Sequence, residues 1–246
     1  MNITKEKTIE ELVTEKPSLA AAFNFLGIHF ENYNEHTLSE ICAQKGLNKS
    51  IIEIRIEEIL GASNNAMDLD ILPLDLLVEY LKHNHYIFIK QRLPFITQII
   101  KNFDGDFPEI KNELKLVFPL FVQDFVEHIY EEEDTLFNYI SILNEVNIDS
   151  IKLNGVQAKM LGNSISRFQN DHEVHDDPFK GLRGLTENFE IDPKYDLKTR
   201  IALTELKSLD AEMQYHAKVE NEILFPKALA LERKVLALIG SANAMN

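Results

Sequence analysis

The chain has 246 residues, of which 45% are hydrophobic and 26% are charged, and its formal net charge is −15. This composition is typical of a folded globular protein rather than a disordered or membrane-embedded one, and the acidic surplus argues against nucleic acid as the main partner, because phosphate binding needs a basic surface. The single cysteine, Cys42, excludes an internal disulfide and leaves nitrogen and oxygen atoms to hold any metal.

The sequence shows no sign of export or of membrane insertion. Its N-terminus, MNITKEKTIEEL, lacks the apolar segment of a secretory signal, and no run of about 18 apolar residues occurs anywhere. We therefore expect a cytoplasmic protein without a membrane partner and without a nucleic-acid partner.

Residues 1–62 are predicted to form a small helical N-terminal domain. Short helices are expected at 19–25 and at about 51–60, where apolar residues recur at helical intervals. Two pairs with the spacing of a capping box mark the starts of two further helices: Thr8 with Glu11, and Thr37 with Glu40. The small, polar segment Gly61–Ala66 has no apolar period and predicts the domain boundary.

Residues 63–246 are predicted to form an antiparallel four-helix bundle. Four long helical patterns follow one another: 72–102, 108–144, 152–188 and 194–238. Short connections between the later patterns favour antiparallel neighbours, and no strand-like alternation is long enough to compete. The predicted fold is therefore all-α. Pro94 and Pro226 lie inside two of the patterns, and each is expected to kink its helix or to remove one backbone hydrogen bond.

A ten-residue motif, His-x-x-x-Glu-x-x-x-Leu-Phe, occurs twice in the bundle. Its copies begin at His128 and His216, which are 88 residues apart. Residues four apart share a helix face, so each copy presents an imidazole beside a carboxylate, Glu132 or Glu220. One such pair is usually a surface pair. Its repetition favours a metal site, because imidazole nitrogen and carboxylate oxygen together suit first-row metals.

An internal two-fold repeat predicts a further ligand on the helix before each copy. His172 precedes His216 by 44 residues, while His128 is preceded by His85 at 43 residues and by His83 at 45. Helical phase favours His85, which continues an apolar row, but His83 stays open as an alternative. His172 is preferred to its neighbour His175 because His175 lies in an acidic cluster.

The predicted metal ligands come from all four helices of the bundle: His85, His128, Glu132, His172, His216 and Glu220. Four imidazoles and two carboxylates are too many for one ion and suit two, with two histidines on each ion and the glutamates as bridges. Open coordination positions would make such a site reactive. Because thiolates are absent, a di-iron centre is the leading identity.

Residues near the two motif copies are given ordinary structural roles. Four are predicted to pack in the core: Leu136, Phe137, Leu224 and Phe225. Four are predicted to lie on the solvated face: Glu127, Glu131, Glu133 and Glu222.

The C-terminal part of the chain resembles the hemerythrin-like di-iron domain, and the whole chain resembles the repair-of-iron-centres family, whose members carry a short N-terminal domain of the ScdA type. The resemblance rests on these segments: Asn84-His85 through Leu93-Pro94, His128-x-x-x-Glu132, Asp171-His172, and His216-x-x-x-Glu220-Asn-Glu-Ile-Leu-Phe-Pro226. The segment Phe23–Leu38 resembles the turn where the family commonly carries adjacent cysteines. Here those positions, at about Glu31 and Asn32, lack cysteine, so the chemistry is expected in the bundle.

The resemblance implies a non-haem di-iron protein that uses the six ligands above, with oxo and carboxylate bridges. Such a protein helps to restore iron–sulfur clusters damaged by nitric oxide or oxidative stress. Iron donation and reduction of nitric oxide are both open as modes of action, so enzymatic activity is left open. The implied partners are damaged iron–sulfur proteins and a diatomic ligand. The alternative is a hemerythrin-like O2 or NO sensor or carrier. A homodimer is also predicted, because the small N-terminal domain has apolar faces to cover.

Overall fold

A computed structural model describes residues 7–61, 69–103, 107–148, 163–174 and 177–244. In a few of these residues, including 171–174, only the backbone is described. The regular elements in these ranges are helices, accompanied by one isolated β-bridge between Thr8 and Thr37. The predicted all-α fold is therefore confirmed. Within the same ranges, every helix is too short or too polar to traverse a lipid bilayer.

The chain forms two compact units. The first comprises Met1–Met67, Lys90–Pro119 and Gly181–Leu209, and the second comprises Asp68–Ile89, Leu120–Lys180 and Asp210–Asn246. The predicted boundary near residue 62 falls where the structure is not described, and it stays a prediction.

The first unit begins with the short helices expected from the sequence: α1 (Ile9–Glu15), α2 (Leu19–Phe25), α3 (Leu38–Lys45) and α4 (Lys49–Gly61). Both predicted capping boxes are present, at Thr8 and at Thr37. Apolar side chains such as Phe23 and Ile41 are fully buried among these helices. Local capping and helical periodicity thus account for this part of the fold.

Longer helices make up the rest of the chain: α5 (Leu74–Ile87), α6 (Leu93–Lys101), α7 (Pro108–Glu132), α8 (Asn138–Ile148), α9 (Ile165–Val174), α10 (Lys180–Leu185), α11 (Leu197–Val219) and α12 (Phe225–Ala244). Three π-helical turns join consecutive helices: Phe88–Arg92, Glu133–Phe137 and Glu220–Leu224. In the second unit, α12 packs against α8 and α9, and α5 packs against the turn Glu220–Leu224. This is the predicted helical bundle.

The prediction of a single third helix at 152–188 is wrong within the described residues. Helix α9 ends at Val174, and α10 begins at Lys180 after a turn at Pro178 and Phe179. A residue that precedes proline disfavours the helical conformation, so Asp177 cannot continue the helix easily. Residues 152–162 lie outside the described ranges.

Two of the π-helical turns are followed by a proline at the same distance along the chain. Pro94 follows the turn Phe88–Arg92 by two residues, and Pro226 follows Glu220–Leu224 by two residues. A proline has no N–H to donate to the carbonyl four residues earlier, which weakens regular α-helical bonding at that point. The structure thus has a π-helical turn just before each of these prolines. No proline follows the third turn, Glu133–Phe137, closely.

The apolar core of the second unit includes the four residues that follow the motif glutamates. Leu136, Phe137, Leu224 and Phe225 are each at most 2% exposed, as predicted. Many of the other core residues come from α5, α8 and α12. The site is therefore built against a closely packed apolar interior.

A buried carboxylate fixes the start of α9 in this core. Glu232 on α12 is 6% exposed, and it accepts hydrogen bonds from the Tyr139 hydroxyl at 2.8 Å and from the Ile165 backbone N–H at 3.1 Å. Ile165 is the first residue of α9, whose N-terminal N–H groups have no partner inside the helix. Glu232 thus anchors the helix that contains His172.

In the first unit, Asp196 connects two long helices. It immediately precedes α11 and accepts hydrogen bonds from the backbone N–H and the hydroxyl of Thr199, at 3.1 and 3.0 Å. It also forms a 2.5 Å ion pair with Lys111 of α7, whose side chain is 4% exposed. Asp196 therefore serves both as a helix cap and as the counter-ion of a buried lysine.

Candidate metal centre

Four side chains of the second unit converge in its interior. His85, Glu132, His216 and Glu220 each offer one ligand atom, and these atoms all lie within 4.8 Å of one another. The four residues are between 1% and 7% exposed. Buried charged or polar groups are rare unless they pair or bind a metal, so this cluster is a candidate metal centre.

The distances within the cluster show which atoms face one another. Nε2 of His85 lies 3.1 Å from Nε2 of His216 and 3.6 Å from Oε2 of Glu132. Nε2 of His216 lies 2.8 Å from Oε1 of Glu220. Both histidines therefore direct their Nε2 atoms at the carboxylates.

Three of the four cluster residues lie within three residues of a π-helical turn or inside one. His85 lies three residues before the turn Phe88–Arg92, Glu132 lies directly before the second turn, and Glu220 begins the third. Such turns widen the backbone helix and are frequent at functional sites. Here they occur in three separate helices around one cluster, which links the irregular backbone to the site.

Burial sets the protonation of the cluster in the absence of a cation. Burial, followed by the neighbouring His216, lowers the pKa of His85 to about 3, so its imidazole is neutral at physiological pH. Burial, followed by the charge of Glu220, raises the pKa of Glu132 well above its ordinary value. Neutral imidazole is the form that binds metals. A cation beside Glu132 would favour its ionised form.

The donor set fits a first-row metal ion. The four residues supply nitrogen and oxygen atoms, which is the combination that such metals accept. In addition, Oε1 of Glu132 is buried and has no hydrogen-bond partner within the described part of the chain. An unsatisfied buried oxygen is costly, and a bound cation would remove that cost.

A cavity of about 60 Å³ opens beside the cluster. Its wall combines the cluster with His128, apolar residues and further polar residues: Ile129, Pro178, Phe179, Met213, Ala217, Asp177, Asp210 and Gln214. This volume holds several water molecules or a small diatomic ligand.

The six predicted ligands have different outcomes in the structure. His85, Glu132, His216 and Glu220 come together, while His128 lines the cavity but lies outside the four-residue cluster. His172 lies in α9, and its side chain is outside the described part of the structure, as is the alternative residue His175. The alternative His83 is exposed to solvent. The structure thus places His85, not His83, in the cluster.

One residue at the site was not expected from the sequence. Glu133 is predicted to lie on the solvated face, and its side chain is 29% exposed, but its Oε1 atom also lies 2.8 Å from Nδ1 of His85. The Phe137 ring stacks on the His85 ring, with centroids 5.6 Å apart and planes inclined by 9°. In a regular helix Glu133 would point about 100° away from Glu132, so helical phase alone assigns it to another face.

The cluster lies in a region with a recognisable family match. Residues 76–228 match the family described as Hemerythrin HHE cation binding domain. The chain belongs to this family. The HHE region includes all six predicted ligands, and its description as a cation-binding domain agrees with the buried histidine and glutamate cluster.

Similarity to known proteins extends beyond the HHE region. The iron-sulfur cluster repair protein ScdA of Staphylococcus haemolyticus (strain JCSC1435) is 21% identical over 229 residues, which cover 92% of this chain and 99% of ScdA. The iron-sulfur cluster repair protein YtfE of Escherichia coli O8 (strain IAI1) is 22% identical over 231 residues, 93% of this chain and 99% of YtfE. YtfE of Escherichia fergusonii is 21% identical over the same shares of both chains. The resemblance to the repair-of-iron-centres family is confirmed over almost the whole chain.

Proposed function

We propose that this chain is a non-haem di-iron protein that repairs iron–sulfur clusters damaged by nitric oxide or by oxidative stress. The observation that carries the proposal is the buried cluster of two imidazoles and two carboxylates beside a cavity. Repair as the process is supported by the printed names of relatives that match over nearly their full length.

Two iron ions need more donors than the four residues of the cluster. His128 lines the same cavity one helical turn before Glu132, and it is our fifth ligand. His172 of α9 is the sixth, by the internal repeat of the sequence. These six residues would hold the two ions, with two histidines for each ion and Glu132 and Glu220 as the shared carboxylates.

Bound iron would supply redox chemistry and coordination sites for a small ligand. The chain's own contribution is the buried environment, which excludes bulk water and keeps His85 neutral. The second contribution is the cavity, which gives a diatomic molecule or water access to the cluster. We assign this chemistry to residues 63–246 and propose that residues 1–62 form a separate domain.

The proposed partner is an iron–sulfur protein whose cluster has lost iron or reacted with nitric oxide. Donation of iron to that protein and removal of nitric oxide at the site are both consistent with a cation held by bridging carboxylates. The two modes predict different products. Donation would raise the iron content of the partner, whereas removal of nitric oxide would leave that content unchanged.

The direct test combines metal analysis with repair. Protein purified without oxygen is expected to hold about two irons per chain and to reactivate a [4Fe–4S] dehydratase damaged by nitric oxide. The double variant Glu132→Gln/Glu220→Gln should lose both properties. The matched control, Glu131→Gln/Glu222→Gln, removes two neighbouring exposed carboxylates and should keep both. Full iron loading in the first double variant would refute the proposal.

The cavity also favours a second function, a hemerythrin-like sensor or carrier of O2 or NO, because its volume suits a diatomic ligand. A sensor or carrier would show a reversible optical change when the reduced protein meets O2. It would transfer no iron to a cluster-deficient protein. Iron transfer without such a reversible change therefore supports repair over sensing.

A further inference from the structure

The turn Glu133–Phe137 holds the His85 ring from two directions. Glu133, its first residue, lies 2.8 Å from Nδ1 at the edge of the ring. Phe137, its last residue, stacks on the face of the ring at 5.6 Å. Both the rotation and the tilt of this imidazole are thus limited by one short segment.

We propose that Glu133 is a positioning residue that holds His85 in the tautomer with the hydrogen on Nδ1, so that the Nε2 lone pair faces the metal. An ionised carboxylate accepts hydrogen bonds and donates none, so Nδ1 of His85 is the donor. A neutral imidazole carries only one ring hydrogen, which leaves Nε2 free to bind a cation. This inference rests on the proposed metal centre.

Two consecutive glutamates therefore act on opposite sides of one ring. Glu132 has Oε2 at 3.6 Å from Nε2 of His85, and Glu133 has Oε1 at 2.8 Å from Nδ1. Because consecutive helical side chains diverge by about 100°, they can meet the two nitrogens of a ring that lies between them. The acidic pair Glu132-Glu133 thus combines a ligand with the group that orients another ligand.

The internal repeat differs at this position. The counterpart of Glu133 in the second motif copy is Asn221, five residues after His216. An amide accepts a hydrogen bond but carries no charge. An anionic acceptor behind a ligating histidine raises the basicity of the ligand, so the His85 side of the site gains an electrostatic contribution that an amide cannot give.

The first test uses the metal-free protein and reads the tautomer by long-range 1H–15N NMR. His85 of the wild type should carry its hydrogen on Nδ1. Glu133→Ala should lose this preference, whereas Glu133→Gln, which keeps an acceptor oxygen, should retain it. The matched control is Asp134→Ala, an exposed residue of the same turn, and it should behave as the wild type. A hydrogen on Nε2 in the wild type, or an unchanged tautomer in Glu133→Ala, overturns the inference.

The second test titrates the same variants with Co²⁺ and follows the visible spectrum. Loss of an outer hydrogen-bond partner of a ligating histidine typically costs about 10–100-fold in metal affinity, which is the expected result for Glu133→Ala. Glu133→Gln should lose less Co²⁺ affinity, because only the charge is removed. If the alanine variant does not fold, the glutamine variant decides the test. If the wild type binds Co²⁺ and the Glu133 variants bind it with an affinity within about twofold of the wild type, this inference alone is overturned. Absence of Co²⁺ binding by the wild type overturns the proposed metal centre, while the NMR experiment still decides the role of Glu133.

Discussion

Nε2 of His85 and Nε2 of His216 lie 3.1 Å apart, although the two residues are 131 positions apart in the chain. Their ring centroids are 4.8 Å apart, and both residues are at most 3% exposed. Two buried imidazole nitrogens approach this closely either when one donates a hydrogen to the other or when both face a cation. Helices α5 and α11 therefore hold the two imidazoles close together in the folded chain.

We expect His85→Ala and His83→Ala to differ sharply in metal content. His85 belongs to the buried cluster, whereas His83 is two residues away and exposed. After reconstitution with ferrous iron without oxygen, His85→Ala should lose at least one of the two irons, and His83→Ala should match the wild type. Elemental analysis per chain gives the answer. Equal loading of the two variants would contradict the assignment.

Removal of the metal should lower the stability of the protein. A cation that binds the folded chain but not the unfolded one stabilises by about 2.7 kcal/mol at a hundred times its Kd. Chelation should therefore lower Tm, and added ferrous iron should restore it. Differential scanning calorimetry of the two forms measures the change. An identical Tm in both forms would show that the cluster does not bind iron in the folded state.

The same cluster should destabilise the protein when no metal is bound. Glu132 and Glu220 are buried carboxyl groups close to each other, and burial without full pairing is unfavourable. We expect metal-free Glu132→Gln/Glu220→Gln to be at least as stable as the metal-free wild type, a common trade-off at functional sites. Urea denaturation of both proteins tests this. A clearly less stable double variant would mean that the carboxyl groups support the fold itself.

Tyr139→Phe should destabilise the second unit by about 1–2 kcal/mol, because it leaves the buried Glu232 with one donor fewer. Burial, followed by the hydrogen bond to Glu232, raises the pKa of Tyr139, so the hydroxyl stays protonated and donates throughout the physiological pH range. Tyr130→Phe is the matched control, since Tyr130 is 50% exposed. Equal urea midpoints for the two variants would contradict the role of Glu232.

Asp196→Asn should lower the stability of the protein at neutral pH but not in acid. Burial by itself raises the pKa of Asp196, but the hydrogen bonds from Lys111 and Thr199 outweigh it, and the net pKa lies below its ordinary value. The stabilisation is therefore present above the unfolded-state pKa of about 3.9 and is lost as the pH falls below it.

Asparagine keeps the capping oxygen but loses the charge that pairs with Lys111. The urea midpoint of Asp196→Asn should thus fall below that of the wild type at about pH 7 and approach it as the pH drops below about 3.9. Glu190→Gln, at an exposed carboxylate nearby, should show no such difference. A constant gap between Asp196→Asn and the wild type at every pH would point to lost packing instead.

The helices of this chain could be predicted because their signals are local. Thr8 and Thr37 mark helix starts through capping boxes that involve residues only three positions away. The predicted third helix, 152–188, is longer than the helices in the structure, because apolar periodicity continues on both sides of Pro178. Its break follows from the conformational restriction that proline imposes on Asp177, which is also a local signal.

The site could be predicted only where regular helical geometry holds. Helical phase favours His85 over His83, and the structure buries His85 and exposes His83, because α5 is regular up to Ile87. Glu133 lies about 100° from Glu132 in helical phase and is therefore assigned to another face, and the backbone changes to a π-helical turn at that residue. No residue type specifies such a turn here, and a phase calculated with 3.6 residues per turn is no longer valid beyond it.

The π-helical turns have a consequence for transplanting this site into another protein. The motif His-x-x-x-Glu spans five residues, but two side chains that contact the His85 ring, Glu133 and Phe137, lie beyond it in the turn that follows Glu132. A designer who grafted only those five residues onto a straight helix would omit both of these contacts to the His85 ring. From this helix, the smallest segment to transplant with the rest of the cluster is the whole stretch from His128 to Phe137.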